Sequence, residues 1–438
     1  MMHLLRKITP KKVIQLYHWV LALVSAVLYG MPSNDIFVIG VTGTNGKSST
    51  TQFIANILTE LGETVGYTST AGFNIAGREI ENRMKITMPG RFYLQKLLRQ
   101  MVRTNCKYAV VETSSQGIDQ YRHLGINYDI AVFTNLTPEH IEAHGGFDEY
   151  KKAKGKLFAH LTNRKKKKLN KKLVSKISVL NADDDNFKYF DGFNADSKLY
   201  FSWTGNKSDS RVVAKINSID LSGATLLING EKVKLKLVAK FQLQNILAAI
   251  STVVAMGFSL PEVLKAAEKI QPLPGRFELV DCGQPFSVIV DYAYEPVALS
   301  ALYESAKLLK PKRVIGVHGS AGGGRDISRR YKIGRLAAQM EDVVIVTNED
   351  PYDEDPRSII EEVASGARDG GKLDGDDLFL VDDRQEAIEL AISLAEKGDA
   401  VLLTGKGSEP VMAVARGKKI TWSDHAAAKK ALVKLGFK

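Results

Sequence analysis

The stretch Val38-Ile39-Gly40-Val41-Thr42-Gly43-Thr44-Asn45-Gly46-Lys47-Ser48-Ser49-Thr50 decides how this chain folds. Its start is apolar and β-branched, the composition of a buried strand, and Gln52 to Leu61 alternates at helical spacing. Between them lies a glycine-bearing turn that ends in Gly46-Lys47-Ser48. Strand, loop and helix in that order are the context a phosphate-binding loop requires. Glycines let backbone N–H groups crowd an anion, and a helix N-terminus adds positive potential. Thr42, Gly43, Thr44, Asn45, Gly46, Lys47, Ser48 and Ser49 are therefore expected to cradle the phosphates of ATP. Lys47 would reach the terminal phosphates, and the Ser48 hydroxyl would ligate Mg²⁺. The general pattern asks for glycine where Val41 stands, so the spacing follows a Thr-Gly-Thr-Asn-Gly-Lys-Ser variant. A bare glycine turn is the competing reading.

Downstream, Tyr108 to Val111, Ile130 to Phe133 and Ser178 to Leu180 read as strands, with amphipathic runs such as Phe92 to Val102 between them. That alternation predicts a central P-loop ATPase-type α/β domain, a parallel sheet with crossover helices over residues 35–274. Ligands of such sheets gather at the carboxyl ends of the strands. Two polar clusters fall there: Glu112-Thr113-Ser114-Ser115, and Thr134-Asn135-Leu136-Thr137-Pro138-Glu139-His140. A carboxylate and an imidazole at adjacent strand ends can share a Mg²⁺ shell with nucleotide phosphates. Helix capping by Ser114 and Thr137, with His140 merely solvated, is the alternative. After the turn-rich Pro272-Leu273-Pro274-Gly275 the pattern restarts. Ser287 to Val290, Arg313 to Val317, Val343 to Thr347, Leu378 to Val381 and Ala400 to Leu403 predict a second, Rossmann-like α/β domain over 275–438.

With 438 residues the chain has material for two or three cores, and 44% hydrophobic with 25% charged residues excludes wholesale disorder. A formal charge of +11 suits polyanionic ligands or an anionic membrane surface, and no nucleic-acid motif accompanies it. Cys106 and Cys282 form no disulfide framework or metal spacing, which fits a reducing, cytoplasmic compartment. At the amino end (1–34), Arg6, Lys7, Lys11 and Lys12 precede a largely apolar run from Val13 to Met31, stopped by Pro32. The run predicts a short apolar helix, either packed on the next domain, lying at a membrane interface, or anchored in a bilayer. Its marginal length leaves those readings open, including peripheral contact with the inner face of the membrane. Arg164-Lys165-Lys166-Lys167-Lys168, with Lys171 and Lys172, reads as an exposed basic loop, ordinarily just a solvated face.

Thr42 to Thr50, Glu112 to Arg122, Phe133-Thr134-Asn135-Leu136 with His140, Tyr150-Lys151-Lys152-Ala153-Lys154 and Asn181-Ala182-Asp183-Asp184 come in the order seen in Mur ligases. From about Ile36 to its end the chain resembles the MurE type, which adds the third peptide residue to UDP-N-acetylmuramoyl-dipeptide. The resemblance implies ATP, Mg²⁺, a muramoyl-peptide acceptor, an incoming amino acid and a monomer. It makes Lys47, Glu112, His140 and Lys154 the catalytic set. Ser48 would ligate one Mg²⁺, Glu112 and His140 a second, and Lys154 would support that second metal through a carbamate. Asn245, Arg276 and Asp291 would contact ATP, and Thr87, Ser114, Gln120 and Arg122 the acceptor. Arg330, Asp350, Gly405 and Glu409 would meet the amino acid. Met88 and Gln116 depart from the usual acceptor pattern, and Tyr294 and Ser408 stand where histidines are usual. Enzymes of this type that add meso-diaminopimelate carry Asp-Asn-Pro-Arg; here Glu349-Asp350-Pro351-Tyr352 lacks the arginine that grips a carboxylate with two hydrogen bonds. Glu409 with Asp350, Asp353, Glu354 and Asp355 instead suggests an amine-bearing side chain such as lysine.

The expected reaction is ATP-dependent amide formation through an acyl phosphate, with domain closure before chemistry. Such ligases begin with a UDP-recognising domain, whereas about the first thirty-five residues precede the ATPase strand here, which leaves open whether the acceptor carries UDP. Two alternatives remain. One keeps the chemistry on another acceptor, folylpolyglutamate-like or lipid-linked; the other is a non-enzymatic nucleotide-binding module.

Overall fold

A computed structural model describes residues 11–138, 145–205, 211–220, 222–324 and 327–438. The chain divides into two compact units. The first holds residues up to Ser218, with Ala224–Lys236 and Gln242–Ile270; the second holds Gln271–Lys438 with two short inserts. Among the described residues the first unit begins with α1 (Lys11–Leu28), followed by β1 (Phe37–Thr42) and α2 (Lys47–Glu60). Then come β2 (Val65–Thr68), β3 (Gly72–Ile75), β4 (Arg78–Glu81), α3 (Arg91–Arg103), β5 (Tyr108–Glu112), α4 (Ser115–Asp119) and β6 (Ile130–Phe133). The unit continues through α5 (Phe147–Asn163), a hairpin of β7 (Lys168–Leu169) and β8 (Lys172–Leu173), β9 (Ile177–Asn181), α6 (Phe187–Asp191) and β10 (Ser197–Ser202). It closes with β11 (Val212–Asp220), β12 (Gly223–Ile228), β13 (Glu231–Leu235), α7 (Lys240–Ala255) and α8 (Leu260–Ala267).

Its main sheet runs in the order β13-β12-β11-β10-β9-β6-β1-β5-β2-β3-β4. β10, β9, β6, β1, β5 and β2 are mutually parallel, and β2-β3-β4 continue as an antiparallel meander. β1 lies between β5 and β6, with Val41 opposite both Glu112 and Val132. This central register brings the ends of three strands to one edge. Val38, Ile39 and Val41 are fully buried, as a strand covered on both faces must be. The core joins Val38, Ala109, Val111, Phe133, Leu157, Phe158 and Phe190.

The basic run is not wholly a solvated loop. Its lysines form the β7–β8 hairpin, and Lys167 is buried. Lys167 Nζ pairs with Asp129 at 2.7 Å and donates to the carbonyls of Ser33, Ile36 and Asn127. Lys176, also buried, shares the same carboxylate. The sequence run hid this because the buried lysine sits among exposed ones.

In the second unit β14 (Glu278–Leu279), β15 (Ser287–Val290), α9 (Pro296–Ala306), β16 (Val314–His318), α10 (Ser328–Met340), β17 (Val343–Thr347) and α11 (Pro356–Asp369) come first. They are followed by β18 (Leu378–Val381), α12 (Arg384–Leu394), β19 (Ala400–Leu403), β20 (Val411–Ala413), β21 (Lys419–Thr421) and α13 (Asp424–Lys434). The sheet order is β14-β15-β19-β16-β17-β18, parallel except at β14, as expected of a Rossmann-like unit.

Two histidines in the first unit give the fold a pH dependence. His123 and His160 stack edge to face, 5.1 Å apart, and both are buried. Burial pulls His123 down to about 3, aided by the neighbouring His160. Burial likewise takes His160 to about 4. The unfolded chain therefore binds more protons than the native one as pH falls below the ordinary histidine value of 6.5. Stability should be fully present above pH 6.5 and decline towards pH 4. Chemical denaturation across that window should show the decline, and a neutral His160→Gln variant, which leaves His123 in place, should make it shallower.

Candidate active site

The loop Gly43–Gly46 leaves β1 and enters α2 at Lys47. Gly46 holds φ +79°, in the left-handed region, and a Cβ there would sit 2.0 Å from the Asn245 Oδ1. Any other residue would be strained and would collide with α7. Asn245 is itself buried, and its carbonyl accepts from Thr50 Oγ1 at 3.4 Å. On its other flank the loop is tied to the segment after β6. The Thr44 amide donates to Asn135 O and the Asn45 amide to Asn135 Oδ1, both at 2.8 Å; Thr134 Oγ1 donates to Asn45 O at 2.8 Å. Lys47 Nζ folds back on Thr44 O at 2.6 Å. The first-turn amides of α2 lack intrahelical acceptors by geometry, so a positive potential opens at this end.

Glu112, at the end of β5, is 1% exposed. Its Oε2 accepts from Ser48 Oγ at 2.8 Å and from the Thr70 amide at 2.7 Å; Thr70 Oγ1 lies 3.1 and 3.2 Å from the two carboxylate oxygens. Thr87 Oγ1 lies 3.0 Å from Thr70 Oγ1, so with the Thr70 proton on Glu112 the Thr87 hydroxyl is the donor of that pair. A hydroxyl and a carboxylate meeting beside a phosphate-type loop form the oxygen set that a hard divalent cation takes. The residues present therefore fit Mg²⁺ and a nucleotide triphosphate. Among the described residues no three His, Cys, Asp or Glu side chains converge on one point. His140 lies outside the described residues.

Lys154, on α5, is also 1% exposed. Its Nζ donates to Gly43 O at 2.5 Å and stands 4.4 Å from the Tyr150 ring centre; Tyr150 Oη donates to Thr44 Oγ1 at 3.2 Å. Lys47, Ser48, Glu112, Lys154 and Asn245 thus surround one loop. Ser49 is buried in the first turn of α2, and Thr42 ends β1.

The expected acceptor residues form an adjoining group. Ser114 caps α4, accepting from the Gly117 amide at 3.1 Å. Arg122 donates to Met88 O and to Gln120 Oε1, and Arg91 donates to Gln120 O at 2.7 Å. Burial lowers both guanidiniums from their ordinary value, and Arg91 lowers Arg122 further. Sequence reading missed Thr70, Arg91 and Tyr150.

The second unit carries the remaining expected residues. Asp291 is buried and accepts from the Phe277 and Ala293 amides at 2.7 Å each; burial raises its carboxyl above the usual range against the pull of Arg276. Arg276 lies 4.3 Å over the Tyr292 ring, and Tyr292 Oη donates to Glu409 Oε1 at 3.0 Å. Lys406 Nζ bridges Asp350 at 3.0 Å and Glu409 at 2.8 Å. Gly405 packs against Glu349. Arg330 pairs with Glu354 at 2.6 Å and Glu362 at 3.0 Å. Asp353 accepts from the Arg416 amide, and Asp355 caps α11. The acidic set is thereby committed to the fold, and Lys406 neutralises the part nearest Glu409.

A triphosphate loop closed by a Lys–Ser pair, a buried strand-end carboxylate beside it and a second Rossmann-like unit define an ATP-dependent ligase of two α/β units. Residues 41–253 match the Mur ligase middle domain, and 275–407 match the Mur ligase glutamate ligase domain. The chain is 35% identical over 421 residues to a UDP-N-acetylmuramoyl-L-alanyl-D-glutamate–2,6-diaminopimelate ligase of Geobacillus kaustophilus, covering 95% of this chain and 83% of the relative. It is 36% identical to a UDP-N-acetylmuramyl-tripeptide synthetase of a Roseiflexus species, with 95% and 82% covered. A solved 2,6-diaminopimelate ligase of the first kind superposes with TM-score 0.61 at 25% identity over 92% of this chain and 80% of that one. Mycobacterium tuberculosis folylpolyglutamate synthase shares the fold, with TM-score 0.68 at 18% identity over 98% and 100%. The chain belongs to the Mur ligase family and, as such, is an ADP-forming acid–amino-acid ligase that uses ATP and Mg²⁺.

Thr70→Val removes a hydroxyl from Glu112 and keeps the side-chain shape. Hydrogen bonds to a charged group are worth about 1.5–3 kcal/mol, so kcat/KM for ADP release should fall by about tenfold or more. A circular-dichroism melt should show the fold intact, and undiminished turnover would refute the role given to Thr70.

Proposed function

We propose that this ligase adds one amino acid to a muramoyl-peptide precursor of peptidoglycan, in keeping with the names of its relatives. The observation that carries the reading is the convergence of Lys47, Ser48, Glu112 and Lys154 on one glycine turn. The acceptor's carboxylate attacks the γ-phosphorus of ATP, forming an acyl phosphate and releasing ADP. The amine of the incoming amino acid then attacks the acyl carbon; the amide forms, and phosphate and a proton leave.

In this scheme Lys47 lies against the terminal phosphates once it leaves Thr44 O, and the loop from Thr42 to Ser49 holds the rest of the triphosphate with Asn245. Ser48 would ligate one Mg²⁺, and Glu112 with His140 would ligate a second. The metals supply charge neutralisation at the transferring phosphoryl group. Lys154 faces the same loop, and a carbamate on its Nζ would give a further anion there. Thr87, Ser114, Gln120 and Arg122 orient the acceptor, with Arg91 added to them. In the second unit Arg276 and Asp291 engage ATP, while Arg330, Asp350, Gly405 and Glu409 shape the amino-acid pocket. Tyr352 stands where diaminopimelate-adding enzymes have arginine, so the reading favours an amino acid with a single carboxylate. Dependence on cellular ATP puts the enzyme in the cytoplasm, with its apolar amino end suited to the inner face of the membrane.

Mass spectrometry of products from ATP, muramoyl-peptide acceptors and mixed amino acids should show an acceptor heavier by one amino-acid residue. Lys47→Ala should cut ADP release at least about a hundredfold, the scale for losing one preorganised electrostatic contact. Full ADP release by that variant, or products only with a non-muramoyl acceptor, would contradict the assignment.

A further inference from the structure

Helix α1 is largely apolar on both of its faces, with Gln15 its exposed uncharged polar residue. Val13, Leu16, Val20, Val24, Val27 and Leu28 are 41–69% exposed and recur every three or four residues, so they form one outward stripe. The opposite stripe is buried: Ala22 and Ala26 approach Gly125, and Ser25 is fully enclosed. From Val13 to Met31 there is no Asp, Glu, Lys or Arg. A surface helix of a water-soluble protein turns a polar face outward, and one apolar all round is covered by something.

The helix is also fixed in place. Arg91 Nη2 lies 2.9 Å from His18 Nδ1, and Arg99 donates to Tyr29 O at 2.7 Å and Gly30 O at 2.6 Å. Among the described residues no helix is long and apolar enough to cross a membrane. At about 1.5 Å per residue the eighteen residues of α1 extend about 27 Å.

A second feature adjoins it. Lys167 and Asn127 pin the root of the β7–β8 hairpin to Ser33, Asn34 and Ile36, the segment that directly follows α1. Within this run Lys166 pairs with Asp196 and Lys167 with Asp129, while Lys165, Lys168, Lys171 and Lys172 are exposed and make no ion pair among the described residues. Leu173, on the same hairpin, is 59% exposed.

We propose that the outer stripe of α1 and the lysine hairpin form one docking surface for an anionic phospholipid bilayer. The stripe enters the headgroup boundary lengthwise, and the hairpin lysines meet lipid phosphates. Charge selects this occupant over a second copy of the chain, which would bring an identical set of uncompensated lysines to the contact. The proposal stands independently of the substrate assignment.

Full-length protein is sedimented with vesicles of phosphatidylcholine alone and of equimolar phosphatidylcholine and phosphatidylglycerol, at low and high salt. Binding to the mixed vesicles should be at least about tenfold tighter at low salt and weaken at high salt. Val20→Gln/Val24→Gln and Lys168→Gln/Lys171→Gln/Lys172→Gln should each weaken it about tenfold, with ATP turnover and melting temperature unchanged. No binding, or equal binding to both vesicle types, would overturn the proposal. So would a dimer in analytical ultracentrifugation that ignores vesicles and that Val20→Gln/Val24→Gln converts to monomer. Failure of vesicle binding with normal turnover overturns docking alone, and the converse result overturns the ligase reading alone.

Discussion

Glu112 is the constraint on which the first unit depends. A carboxylate taken out of water is costly unless its oxygens are satisfied, and Glu112 is satisfied from two separate segments. Ser48 comes from the first turn of α2, and Thr70 from the turn after β2. Because β1 lies between β5 and β6 in register, the same edge carries Thr42, Glu112 and Phe133. Moving β5 by one residue against β1 would turn its side chains to the opposite face of the sheet and remove the Ser48–Glu112 contact. Sheet register and site chemistry are therefore one requirement.

The loop is held from both sides with little slack. Asn245 fills the space that a side chain at Gly46 would need, and Thr134 fills the corresponding space at Gly43. Backbone amides of Thr44 and Asn45 are already oriented by Asn135. Such a scaffold fixes the loop before any phosphate arrives, which is where preorganised electrostatic stabilisation originates.

The parallel strands were legible because they are buried on both faces and read as unbroken apolar runs. Tyr108–Glu112, Ile130–Phe133, Ser287–Val290 and Val343–Thr347 coincide with the expected strands to within a residue. The loop was legible because glycine, lysine and hydroxyl at fixed spacing have a mechanism. Strands β10 to β13 were not, since β11 and β13 mix charged and apolar residues on a half-exposed surface. The supporting residues were also invisible. Thr70 and Arg91 have no local signature, and the buried role of Lys167 depends on Asp129, thirty-eight positions away in sequence, and on Ser33. In the second unit the acidic cluster looked like a cation-attracting pocket; the fold uses Asp353, Glu354 and Asp355 for a turn, an ion pair and a helix cap.

The amino-terminal helix connects these levels. Arg91 contacts His18 of α1 and the carbonyl of Gln120, whose side chain holds Arg122. Two half-buried guanidiniums beside each other, donating among the described residues to neutral partners, concentrate positive charge at this edge, and burial lowers both from their ordinary values. An anionic acceptor, proposed above to lie here, would relieve that repulsion. The helix that presents an apolar stripe outward is thus bonded, through one arginine, to the loop on which the acceptor is proposed to lie. Anchoring of that helix at a lipid surface would fix the orientation of the acceptor edge relative to the bilayer, with no new element between them.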